Sequence, residues 1–261
     1  MHSQTTPFTH LRIGTAMTTL GLLAAAVVGL LGGGAVQAQS LTVVPVNIEM
    51  TARQMATTLT VINHGDSATS VQIRAFAWKQ PDGNEALTAS DDVVVSPPIA
   101  TIAPGASQVV RLVLRRAPQG QEATYRILLD QIPAAAAPGT VRIALRLSIP
   151  VFAEPATRVA ASVKFRIESK DGQRYLVATN DGARHETVRD IAIKTTDGSA
   201  LATTANTSPY ILAGATRRWP VGAPGPMLAP PQSPPPGEIL HLTGRMSTGA
   251  IDQQVPVDAA L

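Results

Sequence analysis

The chain of 261 residues contains no cysteine. Disulfide scaffolds, thiol nucleophiles and thiolate metal sites are thereby excluded, and any stable domain must rest on buried apolar side chains. Aromatic residues are scarce at 3%, and 21 Lys and Arg against 18 Asp and Glu leave a net charge of only +3, scattered along the sequence. The basic face interleaved with aromatics that marks a nucleic-acid binder is missing. No Gly-x-Ser-x-Gly elbow presents a serine nucleophile, and no glycine-rich loop leads from a strand into a helix to hold phosphate. His64 lies in a turn cluster, His185 is followed by Glu186 with no second histidine one helical turn on, and His241 stands alone, so no metal-ligand spacing emerges. These absences argue against an enzyme, a cofactor, a bound metal and a small-molecule substrate.

One long apolar run is present. His10 and Arg12 precede an uncharged run from Ala16 to Leu31, and Gly32 to Gly34 lead into Ala35-Val36-Gln37-Ala38, whose small residues fit the positions read by a signal peptidase. Residues 1–38 are expected to be a cleaved signal peptide rather than a retained anchor, which places the mature chain outside the cytoplasm. About 220 residues remain, enough for two ordinary domains.

Beyond Leu41 the apolar segments are short, alternating and punctuated by turns, the pattern of an all-β protein. Thr58 to Ile62 precede the turn cluster Asn63-His64-Gly65-Asp66, and Val71 to Trp78 alternate before Pro81-Asp82-Gly83. Asp92 to Ser96, Gln108 to Leu114, Tyr125 to Ile132 and Val141 to Phe152 complete about seven strands, an immunoglobulin-like β-sandwich over residues 39–155. The pattern restarts after Pro155 with Ala161 to Ile167, Arg174 to Thr179, Val188 to Lys194, Leu201 to Thr203, Tyr210 to Leu212, Glu238 to Thr243 and Ala250 to Val257, a second β-domain over 156–261. Eight prolines between Trp219 and Gly237 predict an exposed loop there, because proline supplies no ladder donor.

The segment Val141 to Phe152 carries Val141, Ile143, Leu145, Leu147 and Ile149 at every second position, with Arg142, Ala144, Arg146 and Ser148 between them. On one strand these five point to a single face. The pattern alone leaves two readings open: an ordinary half-buried strand, or a strand that lends its side chains to another protein.

Several phrases in fixed order resemble the periplasmic pilus chaperones of the chaperone/usher pathway, PapD-like proteins, in their archaic, spore-coat-protein-U-associated branch. They are Leu59-Thr60-Val61-Ile62-Asn63-His64-Gly65-Asp66, Pro97-Pro98-Ile99-Ala100-Thr101-Ile102-Ala103-Pro104-Gly105, Gln108-Val109-Val110-Arg111-Leu112, Tyr125 to Pro133, Ser148-Ile149-Pro150-Val151-Phe152, and Tyr210 to Pro220. The resemblance implies two immunoglobulin-like sandwiches in a boomerang arrangement, a periplasmic location, pilin-like subunits and an outer-membrane usher as partners, and binding by donor-strand complementation. Val141, Ile143, Leu145, Leu147 and Ile149 are then the subunit-binding teeth, together able to contribute around 10 kcal/mol before ordering costs. Teeth left bare invite aggregation, so self-association of the free chain is also expected.

The family's two basic residues for the client's terminal carboxylate fall, on this resemblance, at Asn47 and Pro150, neither of which carries charge. Asn47 retains a hydrogen-bond donor, and Arg126, which opens the strand expected beside the comb, is the substitute candidate. An exported structural or adhesive sandwich, a pilin or matrix component, is the alternative, and the presence of two domains tells against it.

Overall fold

The computed structural model describes residues 41–133, 139, 143–171, 173–205, 208–222 and 237–258. The expected signal peptide, Val141 and most of the proline-rich segment lie outside the described residues.

Ten strands make the first domain among the described residues: β1 (Leu41–Val44), β2 (Ile48–Met50), β3 (Ala56–Asn63), β4 (Thr69–Lys79), β5 (Ala86–Ala89), β6 (Val93–Ser96), β7 (Ile99–Ile102), β8 (Ser107–Leu114), β9 (Ala123–Ile132) and β10 (Arg146–Ala153). They form two sheets, one ordered β1-β3-β8-β6 and the other β2-β10-β9-β4-β5, with β7 beside β4. Alternation explains the sandwich. Leu59 and Val61, Val71 and Ile73, Val110 and Leu112, Ile127 and Leu129, and Ile149 and Val151 occupy every second position of their strands and meet in one core. The first strand serves both sheets. Leu41–Val44 pairs antiparallel with β3, and after Pro45 the chain crosses so that Ile48–Met50 runs parallel to Val151–Ala153.

The second domain has eight strands among the described residues: β11 (Val163–Lys170), β12 (Gln173–Asn180), β13 (Glu186–Lys194), β14 (Ala200–Thr203), β15 (Tyr210–Ile211), β16 (Thr216–Gly222), β17 (Ile239–Met246) and β18 (Gly249–Pro256). The order is β11-β12-β16-β14-β13-β17-β18, with β15 on β13, and an Ile167–Val257 bridge draws the two ends together. Leu176, Ala178, Ile193, Trp219, Leu240 and Leu242 fill its core.

Two expectations change. Trp219 to Gly222, read as the start of an exposed loop, continue β16: Trp219 is 3% exposed, and Pro220 stands opposite Tyr175. Burial of Trp219 and Val221 outweighs the donor lost at Pro220. Of the comb expected as one strand from Val141, the described part forms β10 from Arg146, with Leu145 already bonded to Gln131 and Ile143 and Ala144 preceding the strand. The structure also adds β2, β5 and β7, each too short to show a period.

Both domains carry the same asparagine lock. Asn63 donates from Nδ2 to the carbonyls of Ser67, Ile102 and Ala103 and accepts from Gly65 N on Oδ1. Asn180 donates to Arg184, Ile211 and Leu212 and accepts from Gly182 N. Each asparagine N–H bonds the carbonyl of an alanine, Ala106 or Ala215, that follows a glycine of positive φ, Gly105 at 68° or Gly214 at 69°. The side chain thus satisfies carbonyls that a bare turn would leave buried and unpaired.

Candidate functional site

β10 closes the first domain and carries the comb. β9 pairs with it from Arg146 to Ala153, whereas on its other side β2 pairs only with Val151, Phe152 and Ala153. From Arg146 to Pro150 that second edge has no partner strand among the described residues. Gln131 N donates to Leu145 O and Glu154 N donates to Met50 O, which sets the parity of the strand: odd residues bond toward β9 and even residues toward the β2 side. The open edge therefore offers N–H and C=O of Arg146 and Ser148, and from Pro150 a carbonyl alone.

The teeth divide along their length. Ile149 is 3% exposed and belongs to the domain's own core, and Leu147 is half-buried against it. Leu145 is half-buried and Ile143 is 92% exposed, both preceding the strand. Five teeth were expected to act alike. Ile149 cannot enter a partner without leaving its own core, and the accessible described residues are Ile143 and Leu145, with part of Leu147.

The even residues of β10 face away from the core, toward the second domain. Arg126 of β9 stands opposite Pro150 on that face, with Phe76 of β4 on its other side. Its guanidinium carbon lies 3.7 Å from the ring centre of Trp78 and 5.5 Å from that of Tyr210. Among the described residues it makes no hydrogen bond and no ion pair. Burial pulls its pKa below the ordinary guanidinium value, while Glu85 and Tyr210 act the other way. Asn47 is exposed beside the crossover and donates to Glu49 Oε1 at 3.4 Å. Further along the same face Asp130 accepts from Arg74 at 2.7 Å and from Arg146; its burial raises the pKa, but those two hydrogen bonds outweigh it and hold the carboxyl below its usual range.

The floor beneath Arg126 is the domain junction. Trp78, Phe152, Leu212 and Ala215 form a buried cluster with Tyr210 against it. Glu85 accepts from Trp78 Nε1, from Gln80 Nε2 at 3.1 Å, from Arg217 Nη1 at 2.7 Å and from Ser208 Oγ at 3.2 Å. Gln80 clasps the second domain, donating to Tyr210 O at 3.0 Å and accepting from Leu212 N at 2.9 Å. On the other flank the fully buried Glu122 accepts from His185 N at 2.9 Å and from its Nδ1 at 2.7 Å, and the imidazole stacks on Phe152 at 3.6 Å. Arg184 reaches Glu154 at 2.9 Å and Glu49 at 3.1 Å.

The sequence reading picked out Arg126 and missed its surroundings, Trp78, Tyr210, Glu85 and Gln80. A signal was present: Phe76, Trp78 and Phe152 put large aromatics on the strand faces opposite the core residues, where a solvated sheet would carry polar side chains.

An amino-terminal sandwich with a half-open final strand, docked on a second sandwich through a cleft that holds a guanidinium without an ion-pair partner among the described residues, defines a two-domain immunoglobulin-like protein. Residues 40–158 match the model of the PapD N-terminal domain of the pili and flagellar-assembly chaperones. Chaperones of this family are not enzymes. No curated protein sequence matches the chain. Among solved structures, the CsuC–CsuE chaperone–tip adhesion subunit pre-assembly complex from archaic Csu pili of Acinetobacter baumannii is similar, with TM-score 0.60 and 20% identity over 84% of this chain and 98% of that one. The YadV chaperone follows at 0.56 and 14%, over 83% and 98%. The Salmonella enterica SafA pilin in complex with the SafB chaperone gives 0.55 and 13%, over 85% and 97%. At these identities the likeness is one of fold.

Proposed function

We propose that the chain is a periplasmic chaperone that holds pilin-like subunits by donating β10 and the segment before it as a missing strand, and delivers them to an outer-membrane usher for fibre assembly. The observation that carries this reading is the half-open edge of β10, where Arg146 and Ser148 have no partner strand among the described residues on the β2 side and lie beside the accessible side chains of Ile143, Leu145 and Leu147. A client lacking its last strand pairs its edge with those groups and takes the teeth into its groove. Each tooth fully buried contributes about 1.5 to 3 kcal/mol, so Ile143 and Leu145 together supply roughly 5 kcal/mol, with Val141 as a further tooth upstream. Without a client, the same edge is free to pair with a second copy of the chain. Residues 1–38 act as the export signal, and the domains divide at Pro155.

Arg126 receives the client's terminal carboxylate. It stands across from Pro150, the position at which the resemblance would place a basic residue. A half-buried guanidinium without a hydrogen-bond partner among the described residues gains from a carboxylate more than a fully exposed one does.

Co-expression with candidate pilins, followed by co-purification from periplasmic extract, tests the reading. Wild-type chain should carry a pilin with it, and Arg126→Ala should weaken capture far more than Arg142→Ala. A folded chain that retains no pilin, or equal effects of the two substitutions, overturns it.

A further inference from the structure

We propose that Tyr210 is a positioning residue for the carboxylate anchor, so that the second domain takes a direct part in reading the client's terminus. The inference rests on the anchor role of Arg126 and adds what holds that side chain in place. Trp78 and Tyr210 meet edge to face, 5.4 Å apart with an interplanar angle of 85°, and the Arg126 guanidinium lies over both rings, in the corner they make. A cation held against Trp78, with Tyr210 across the corner as a second wall, is confined in rotamer by two rings and makes no hydrogen bond to either, which leaves N–H groups for a carboxylate.

Each wall of the corner is fixed by the other domain. Trp78 belongs to the first, and its Nε1 donates to Glu85, which in turn accepts from Arg217 of the second. Tyr210 belongs to the second, and its carbonyl accepts from Gln80 of the first. Separation of the domains removes one wall, and the arginine regains rotamers that must be frozen again when a client binds. Partial burial of Arg126 adds to the gain when a carboxylate arrives.

The test compares dissociation rates of the full chain from the pilin subunit that co-purifies with it, for Tyr210→Phe, Tyr210→Leu, Arg126→Ala and the double variant Arg126→Ala/Tyr210→Leu. Thermal unfolding of each free variant is followed alongside, to separate packing from positioning. Tyr210→Phe keeps the ring and should dissociate within about twofold of wild type, whereas Tyr210→Leu should dissociate roughly tenfold faster. In the Arg126→Ala background Tyr210→Leu should add nothing, because the side chain it positions is gone. Tyr210→Leu at the wild-type rate, or a full additional effect in the double variant, overturns the positioning role while leaving the anchor standing. Arg126→Ala at the wild-type rate removes the anchor itself, and the inference with it.

Discussion

Truncation of two isoleucines only six residues apart in the comb should separate stability from client binding. Ile149 is 3% exposed within the core of the first domain, and Ile143 is 92% exposed. Ile149→Ala leaves a cavity lined by neighbours that cannot fully collapse, at a cost of about 2 to 4 kcal/mol. For a domain of this size the melting temperature falls by on the order of 10 °C. Ile143→Ala removes side-chain atoms already in water, so unfolding should shift by less than about 0.5 kcal/mol. The same truncation withholds from a client groove about 2 kcal/mol of apolar transfer, roughly a thirtyfold loss of affinity. Circular dichroism melts of the free proteins and the dissociation rate of the co-purified pilin complex measure the two quantities. The reasoning fails if Ile143→Ala melts several degrees early while its pilin complex is as long-lived as wild type. It fails equally if Ile149→Ala leaves the melt unchanged, since that residue would then be no part of the folded core.

The junction predicts an acid limb. Burial pushes the Glu85 carboxyl up, but hydrogen bonds from Arg217, Gln80 and Trp78 outweigh it and hold the pKa below the ordinary 4.5. The unfolded chain then takes up that proton at a higher pH than the folded one, so Glu85 adds stability above about pH 4.5 and loses it as pH falls through the lower folded value. Glu85→Gln should lower stability at neutral pH and flatten the decline below pH 5; urea titrations at pH 3, 4, 5 and 7 would expose an unchanged slope. Asn63→Ala and Asn180→Ala each strip the donors from three carbonyls and should cost about 3 kcal/mol apiece. Because the two locks sit in different cores, the double variant should show additive losses in denaturant midpoints, and strong coupling would refute their independence.

Much of this was legible before any coordinates. Alternation located the longer strands because each buries one face, and Asn63-His64-Gly65-Asp66 was legible as a turn, although the carbonyls that the Asn63 side chain bonds were not. Arg126 was visible as the cation opening the strand beside the comb. The fate of Ile149 was not, since a tooth held by its own core and a tooth held out for a partner share the same period of two; only the third dimension tells where the sandwich ends. The corner formed by Trp78 and Tyr210 was equally hidden, because its walls lie 132 positions apart and belong to separate domains. Gln80 and Glu85 read as ordinary turn-flanking polar residues until the fold turns them toward Leu212 and Arg217.

Pro150 has a consequence of its own. A guest backbone laid along the free side of β10 meets paired donors and acceptors at Arg146 and Ser148, and then a residue with nothing to donate. On the proposed reading, reciprocal hydrogen bonding with a guest stops at that rung, where only a carbonyl remains, and Arg126 stands on the next strand directly across from it. Missing one amide hydrogen, the proline would then act as a full stop that limits how far such a visitor can slide.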